Sequence, residues 1–173
     1  MVATNVAAGR FDFAIDLKQA LSDTVFIAVG TPSRRGDGHA DLSYVNAAAC
    51  EIAANLSGFT VVITKSTVPV GTGDHVERIM KEINPTADVV AASNPEFLRE
   101  GAAIRDFKRP DCIIVGTDDE RARKVLADIY RPLYLNQAPI PYTGRPTAEL
   151  IKYAANTFLG TKITFINEIA DLG

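Results

Sequence analysis

Two glutamates stand close together in the stretch Ser93–Gly101, which reads Ser-Asn-Pro-Glu-Phe-Leu-Arg-Glu-Gly. The stretch follows a short apolar run, Val89–Ala92, that is typical of a buried strand. Open α/β sheets bind their ligands beyond the carboxyl ends of the strands, so carboxylates at this point favour a site. The alternative is an ordinary corner between a strand and a helix, with solvated glutamates.

The same stretch predicts the start of a helix. Asn94 is a residue type that caps helices, and Pro95 suits the first helical position. In that helix Glu96 and Glu100 are four residues apart and therefore lie on one face.

A second pair of polar residues, Lys152 and Asn156, has helical spacing near the end of the chain. A lysine beside an amide stabilises a developing alkoxide, or acts as a base when it is desolvated. A solvated helix face is the alternative reading of this pair. Four residues together would form a site that handles oxygen atoms, provided that the fold brings them together: Thr67, Glu96, Lys152 and Asn156.

Hydroxyl groups, small residues and backbone N–H groups follow four predicted strands, where they suit a polyphosphate or a nucleotide ribose. The four strand ends, which we expect at one edge of a parallel sheet, are Gly30-Thr31-Pro32, Lys65-Ser66-Thr67, Ser93-Asn94-Pro95-Glu96 and Gly116-Thr117. Polar turns at a sheet edge are the alternative. The stretch Gly71-Thr72-Gly73 lacks the spacing of a dinucleotide-binding fingerprint, because no third glycine follows three residues later.

Short apolar runs alternate with amphipathic stretches, which predicts an α/β fold with a partial, Rossmann-like parallel sheet. Strands are predicted over 11–17, 24–30, 60–64, 88–92, 112–115 and 139–143. Helices are predicted over 41–57, 74–83 and 119–130, with a short one ending near residue 106. Because the run 24–30 is apolar on both faces, we expect it to be a central strand, whereas 11–17 alternates like an edge strand.

The last part of the chain predicts one long helix over 147–172, with a broad apolar surface. At 1.5 Å per residue it is about 40 Å long, which is too long to lie across one small sheet. We expect it to leave the sheet domain and to pack on another domain or subunit. The predicted division places residues 1–144 in the sheet domain and 145–173 at the start of a helical domain.

The composition limits the partners of this chain of 173 residues, which carries a net charge of −3. Lysines and arginines are scattered and form no basic stripe, so nucleic acid is not expected as a partner. No apolar stretch has the length of a membrane span, and no secretory signal is visible. Cys50 and Cys112 form neither a disulfide framework nor a zinc pattern, so we expect no metal and a cytoplasmic location.

Five segments, in this order, resemble the UDP-glucose/GDP-mannose dehydrogenase family. They are VFIAVGTP (25–32), TKSTVPVGTG (64–73), SNPEFLREGAAIRDF (93–107), RPDCIIVG (109–116) and ELIKYAANTFLGTKITFINEIADL (149–172). The resemblance implies a later part of an NAD-binding Rossmann-like domain, followed by the first helix of a central domain through which the family forms dimers. The implied activity is the NAD-dependent oxidation of UDP-glucose to UDP-glucuronate, through a thioester on a cysteine.

The resemblance also implies roles for individual residues. Thr67 would hold the catalytic water, Glu96 would be the general base or acid, and Lys152 and Asn156 would bind the oxyanion and the water. The NAD site would comprise Val29, Gly30, Thr31, Pro32, Ser33, Ser66 and Glu100. The nucleotide sugar would contact Glu96, Phe97, Leu98, Glu100, Lys152 and Asn156.

Two motifs of the family do not occur in the sequence, namely the glycine-rich phosphate loop and the loop that carries the nucleophilic cysteine. Neither Cys50 nor Cys112 has the context of that nucleophile. We therefore expect the chain alone to be inactive on UDP-glucose. Because a partial sheet leaves an exposed edge that invites pairing with another chain, we also expect the chain to associate with itself. A dehydrogenase of GDP-mannose or of UDP-N-acetylmannosamine is one alternative, and a non-catalytic module that binds nucleotide sugars or dimerises is another.

Overall fold

A computed structural model describes residues 2–36, 38–99, 101–134 and 138–172. The strands found among these residues are β1 (Thr24–Ile27), β2 (Thr60–Thr64), β3 (Val89–Ser93), β4 (Val115–Gly116) and β5 (Tyr142–Thr143). The helices in the same ranges are α1 (Val2–Ala7), α2 (Leu17–Ala20), α3 (Ser43–Asn55), α4 (Thr72–Ile83), α5 (Ala103–Lys108), α6 (Glu120–Tyr134) and α7 (Arg145–Asp171).

The strands form one sheet in the order β1-β2-β3-β4-β5. Strands β1, β2 and β3 are parallel, whereas β4 is antiparallel to β3 and parallel to β5. Residue Ser93, at the end of β3, lies opposite Gly116 of β4. The predicted α/β class with a mostly parallel sheet is therefore confirmed.

Two apolar layers cover the two faces of the sheet, because successive side chains of a strand point to opposite sides. On one face, α3 and α4 pack residues such as Val45, Ile52 and Met80 against Val62 and Ala91. On the other face, α6 contributes the core residues Ala122, Leu126 and Tyr130, which pack among Val61, Ile63, Val90, Ala92, Ile113 and Val115. Because β2 and β3 are covered on both sides, all ten of their residues are buried.

Helix α7 begins directly after β5 and contains 27 residues, which corresponds to a length of about 40 Å. Its buried residues are Ala148, Glu149 and Lys152, all in the first two and a half turns. From residue 154 onward every described residue of the helix is exposed. Among the described residues, no helix combines the length and the apolar character that crossing a membrane requires.

Two strand predictions at the amino-terminal end of the chain were wrong. Residues 11–14 are irregular rather than an edge strand, and the side chains of Phe11 and Phe13 are exposed. Asp12 accepts a hydrogen bond from the backbone of Phe13, and Asp16 caps α2, so local polar contacts compete with strand pairing. Strand β1 is an edge strand of the described sheet rather than a central one, and its Phe26 is 39% exposed.

The predictions around β4 also needed correction. Because β4 runs antiparallel to β3, Gly116-Thr117 does not extend from the same sheet edge as the ends of β1, β2 and β3. The strand is also short and begins at Val115, whereas Cys112 lies before it in an irregular segment. The ladder with the chain before β5 nevertheless starts earlier, because the N–H of Ile113 donates to the carbonyl of Pro139.

The predicted helix start at Asn94-Pro95 was wrong as well. Residues 94–99 are irregular, and α5 begins at Ala103. Asn94 does not cap a helix because its side chain is used inside the fold, where it bonds to the chain beside β4. Consequently Glu96 does not lie on a helix, and Glu100 lies outside the described residues.

Candidate active site

The buried side-chain amide of Asn94 holds the irregular turn after β3 in place. Asn94 is completely buried, and its Nδ2 donates to the carbonyl of Ile114 at 2.7 Å. Its Oδ1 accepts from Lys65 Nζ at 3.1 Å and from the hydroxyl of Tyr130. The hydrogen-bond partners of the Asn94 side chain thus come from other parts of the fold, and they fix the position of the chain just before Glu96.

Lys65 places a positive charge at this sheet edge. It directly follows β2 and is partly buried. The pKa of Lys65 is lowered to about 8, mainly by burial; the carboxylate of Glu96 opposes this effect, and the positive charge of Lys152 adds to it. Lys65, Glu96 and Lys152 therefore form one electrostatically coupled group.

Lys152 reaches the same group from α7. Its side chain is almost entirely buried, and its Nζ lies 5.1 Å from the centre of the Phe97 ring, which is a cation–π distance. Burial lowers the pKa of Lys152, and the nearby carboxylate of Glu96 counteracts part of that shift. The structure thus brings together Glu96, Phe97 and Lys152, three of the residues predicted from the sequence.

A cavity of about 520 Å³ opens beside this group. Lys65, Asn94, Glu96 and Tyr130 contribute polar groups to its wall, and Phe97 and Leu98 contribute apolar surface. Three arginines also line it, namely Arg99, Arg105 and Arg109. Asp106 and Asp111 line the cavity as well, and Asp106 is paired with Arg99 at 2.7 Å. A concave site with an apolar wall and a few converging charged groups is typical of small-molecule binding.

The loops after β1 and β2 meet at a second cluster. The hydroxyl of Thr31 donates to the carbonyl of Thr67 at 2.8 Å, and the hydroxyl of Ser66 donates to the carbonyl of Val29 at 2.6 Å. At Gly30, an added Cβ would meet no atom within 4 Å, so the backbone there is open to a ligand. Hydroxyl groups and bare backbone suit the ribose and amide groups of a dinucleotide.

Four predicted site residues are not placed in either cluster. Pro32 and Ser33 are exposed, and Ser33 pairs with Ala40 across the loop rather than with the β2 segment. The side chain of Asn156 is exposed on α7. Glu100 lies outside the part of the chain that the structure describes.

Neither cysteine has the environment of an activated nucleophile. Cys50 is exposed on α3, away from the turn after β3. Cys112 lines the cavity, but burial raises the pKa of its thiol, and the charge of Asp111 raises it further. A raised pKa leaves less thiolate, which is the reactive form.

Sequence reasoning missed two residues that shape this region, Lys65 and Glu149. Lys65 carries a signal that is visible in the sequence, because a lysine directly after the predicted strand TVVIT (60–64) must lie at the edge of the sheet. Glu149 stands among apolar residues of α7 and accepts hydrogen bonds from Gly71 and Gly73. The only hint in the sequence was the pair Gly71 and Gly73, and the sequence did not identify Glu149 as the residue that they bind.

Comparison with known proteins gives two matches to one family. The NAD binding domain of the UDP-glucose/GDP-mannose dehydrogenase family matches residues 1–134. The central domain of the same family matches residues 146–173.

Several relatives share this sequence across almost its whole length. The UDP-glucose 6-dehydrogenase of Rhizobium meliloti is 73% identical over 99% of the chain, and UDP-glucose 6-dehydrogenase YwqF of Bacillus subtilis is 46% identical over 99% of it. The chain covers 40% of the first of these proteins and 39% of the second. It therefore spans about two-fifths of the length of these relatives.

Solved structures show the same fold. A UDP-glucose dehydrogenase from Pyrobaculum islandicum matches 96% of the chain with a TM-score of 0.90 and 43% identity. A GDP-mannose dehydrogenase from Pseudomonas aeruginosa, solved as a ternary complex, matches 96% of it with a TM-score of 0.90 and 34% identity. The chain corresponds to 39% of each of these two structures. From its sequence and its fold alike, the chain belongs to the UDP-glucose/GDP-mannose dehydrogenase family.

Proposed function

We propose that the chain forms part of the NAD site and part of the sugar-nucleotide site of a UDP-glucose 6-dehydrogenase, which oxidises UDP-glucose to UDP-glucuronate. The observation that carries this proposal is the placement of buried Lys152 against Phe97 and beside Glu96, at the carboxyl end of β3. The high identity to proteins named UDP-glucose 6-dehydrogenase supports UDP-glucose as the substrate.

On the sugar side, Lys152 binds the oxygen that becomes negative during oxidation and hydrolysis. Its buried ammonium donates to that oxygen in a site with little competing water, where a charge-assisted hydrogen bond is strong. Asn156, one turn further along α7, adds an amide donor to the same oxygen or to the water. Phe97 and Leu98 contact the nucleotide sugar, and the resemblance to the family adds Glu100, which lies outside the described residues, as a further contact.

Glu96 and Thr67 act on the water of the hydrolysis step. Glu96 takes the proton from that water as general base and returns a proton as general acid. Thr67 holds the water through its hydroxyl group. The parallel pairing of β2 and β3 supports this assignment, because Thr67 and Glu96 each follow the end of one of these strands by three residues.

The cofactor residues are those of the loops after β1 and β2. Backbone and hydroxyl groups of Val29, Gly30, Thr31, Pro32, Ser33 and Ser66 hold NAD, and the open backbone at Gly30 fits a group that approaches closely. When bound, NAD accepts the hydride from the sugar carbon. The hydrogen bond between Thr31 and Thr67 links this cofactor loop to the residue that holds the water.

The 173-residue chain on its own is expected to bind ligands without turnover. Cys112 has a raised thiol pKa, and Cys50 is exposed on α3, so neither supplies a thiolate beside Glu96 and Lys152. The measurement is the absorbance of NADH after the chain is mixed with UDP-glucose and NAD. A rate above that of the enzyme-free blank that disappears in Lys152→Ala would contradict this expectation.

Calorimetric titration of the chain with UDP-glucose, and separately with NAD, tests the binding proposal. We expect heat from both ligands, and we expect Lys152→Met to weaken UDP-glucose binding about tenfold or more, because a charge-assisted hydrogen bond contributes ~1.5–3 kcal/mol. GDP-mannose serves as the competing ligand and should bind less tightly than UDP-glucose.

Lys162→Met is the matched control, because Lys162 lies on the same helix and also contacts a phenylalanine ring, at 5.5 Å, but is exposed. It should leave UDP-glucose binding unchanged. UDP-glucose binding in Lys152→Met as tight as in the unmodified chain would overturn the assignment of Lys152. Binding of UDP-glucose without NAD would favour a non-catalytic module that binds nucleotide sugars.

We further propose that two copies associate through α7 in the cytoplasm. The supporting observation is a set of large apolar side chains, each more than half exposed, on the projecting part of this helix: Phe158, Leu159, Ile163, Phe165, Ile166 and Ile169. Contiguous apolar surface of this extent marks an interaction site.

A further inference from the structure

The carboxylate of Glu149 is buried at the junction of three segments. It is only 2% exposed, although it belongs to a charged residue type. Its Oε2 accepts from the N–H of Gly71 at 2.6 Å, and its Oε1 accepts from the N–H of Gly73 at 2.7 Å and from the hydroxyl of Ser93 at 2.9 Å. Helix α7 is thereby bonded to the start of α4 and to the end of β3.

The glycines around this carboxylate explain why the sequence reads Gly71-Thr72-Gly73. Gly71 has a φ of 91°, which side chains rarely adopt. A Cβ at Gly73 would lie 2.8 Å from Ser93 Oγ and 3.0 Å from Glu149 Oε1, so no other residue fits there without displacement. Amide groups at a helix start favour a negative charge, and in this protein the charge comes from the chain itself rather than from a phosphate.

Successive hydrogen bonds between α7 and β3 determine where Lys152 lies. Arg145 Nη1 donates to the carbonyl of Ala91 at 3.1 Å, and one turn later Glu149 bonds to Ser93. Lys152 follows less than one turn after Glu149 and lies over Phe97. Of these two contacts between α7 and β3, the one made by Glu149 is therefore the closer to Lys152 along the helix.

We propose that Glu149 is a positioning residue: its carboxylate fixes the height and rotation of α7 over the sheet edge and so places Lys152 beside Glu96 and Phe97. The segments that it joins also lead to the other proposed site residues, since Thr67 precedes Gly71 and Glu96 follows Ser93. The importance of that placement rests on the function proposed above for Lys152.

The test uses the ligand-free chain and the NMR signal of the Lys152 Cε methylene group, assigned with Lys152→Arg. A ring face shifts nearby protons upfield, so contact with Phe97 should separate this signal from those of exposed lysines. In Glu149→Gln one side-chain NH₂ must face a backbone N–H donor, so the anchor is broken. We expect most of the upfield shift to be lost and the Lys152 pKa to rise towards its ordinary value of 10.5.

Asp74→Asn is the control, because it weakens the ion pair that joins Arg145 of α7 to Asp74 of α4 at 2.6 Å and does not touch Glu149. It should leave the Lys152 signal in place. Ser93→Ala removes one of the three hydrogen-bond donors to the Glu149 carboxylate. It should shift the Lys152 signal in the same direction as Glu149→Gln, but by less. If Glu149→Gln does not fold, Ser93→Ala is the deciding variant.

Two outcomes would overturn the proposal. The first is an unchanged Lys152 signal in folded Glu149→Gln or, if that variant does not fold, in Ser93→Ala. The second is an equal change in Asp74→Asn. Because no ligand is present, a failure of UDP-glucose or NAD to bind in the calorimetric experiment would refute the proposed function and leave this result intact.

Discussion

The ammonium of Lys65 lies 3.1 Å from Oδ1 of Asn94, so a lysine at the end of β2 is bonded to the residue that follows β3. The same Asn94 oxygen accepts from Tyr130 of α6. A cation, an amide and a phenol from three elements thus hold the turn that carries Glu96.

We predict that Lys65→Met changes how stability depends on pH. The pKa of Lys65 is about 8 in the folded protein and 10.5 in the unfolded chain, so below pH 8 the folded state bears the full cost of a buried charge. Between pH 8 and 10.5 the unfolded chain binds more protons, and the unfolding free energy of the unmodified protein rises with pH.

Urea unfolding at several pH values measures this effect. Below pH 8 the Lys65→Met variant should be more stable, by up to ~3 kcal/mol from the pKa difference, less the lost hydrogen bond to Asn94. Its advantage should shrink steadily as the pH rises to 10.5. Lys124→Met, at an exposed position on α6, is the control. Parallel curves for Lys65→Met and the unmodified protein would contradict the prediction.

Asn94→Ala should destabilise the protein by about 3 kcal/mol or more. The substitution leaves the Ile114 carbonyl, the Tyr130 hydroxyl and the Lys65 ammonium without their partner, and each unsatisfied buried group costs about 1–3 kcal/mol. Chemical unfolding followed by circular dichroism gives the value. Asn156→Ala, on the exposed part of α7, should change stability by no more than about 0.5 kcal/mol. Equal effects of the two substitutions would argue against the buried network.

Two glycine substitutions should behave in opposite ways. Gly73→Ala should cost about 1–3 kcal/mol, because its Cβ would press on Ser93 Oγ and Glu149 Oε1. Gly30→Ala should leave stability nearly unchanged, because no atom lies within 4 Å of its Cβ, yet it should weaken NAD binding if that backbone contacts the cofactor. Thermal unfolding and NAD titration of both variants provide the comparison. A Gly30→Ala protein with unaltered NAD affinity would remove Gly30 from the proposed site.

Charge on the projecting part of α7 should prevent self-association. Phe158→Glu combined with Ile166→Glu places two carboxylates in the exposed apolar surface, and we expect the doubly substituted chain to be monomeric. Thr164→Glu, at an exposed polar position of the same helix, should still associate. Light scattering at about 100 µM, where exposed apolar surfaces tend to associate, distinguishes the two. A monomeric unmodified chain at that concentration would refute association through α7.

Much of the fold was predictable because its signals are local. Strand β2 was predicted at its observed bounds and β3 within one residue, since short apolar runs between amphipathic stretches identify buried parallel strands. Helix α4 and the long α7 followed from helical periodicity. The resemblance to the family is confirmed by the two domain matches. The roles of the site residues and the division of the chain at residue 144 stay predictions.

The wrong predictions concern residues whose partners are distant in sequence. Asn94 has the local character of a helix cap, but Ile114 and Tyr130, which lie 20 and 36 residues further along, take up its side chain. The direction of β4 is likewise set by its pairing with β3 and β5 rather than by its own two residues. For the same reason the sequence did not identify Glu149 as the partner of Gly71 and Gly73, which precede it by 78 and 76 residues.

The reversed direction of β4 and β5 determines where insertions and deletions are tolerated. Because β5 points away from the site edge, α7 starts below that edge and reaches it only after two turns, at Lys152. One residue added or removed between Thr143 and Lys152 would turn the lysine by about 100° and move it by about 1.5 Å along the helix. Length changes should therefore be excluded from this interval.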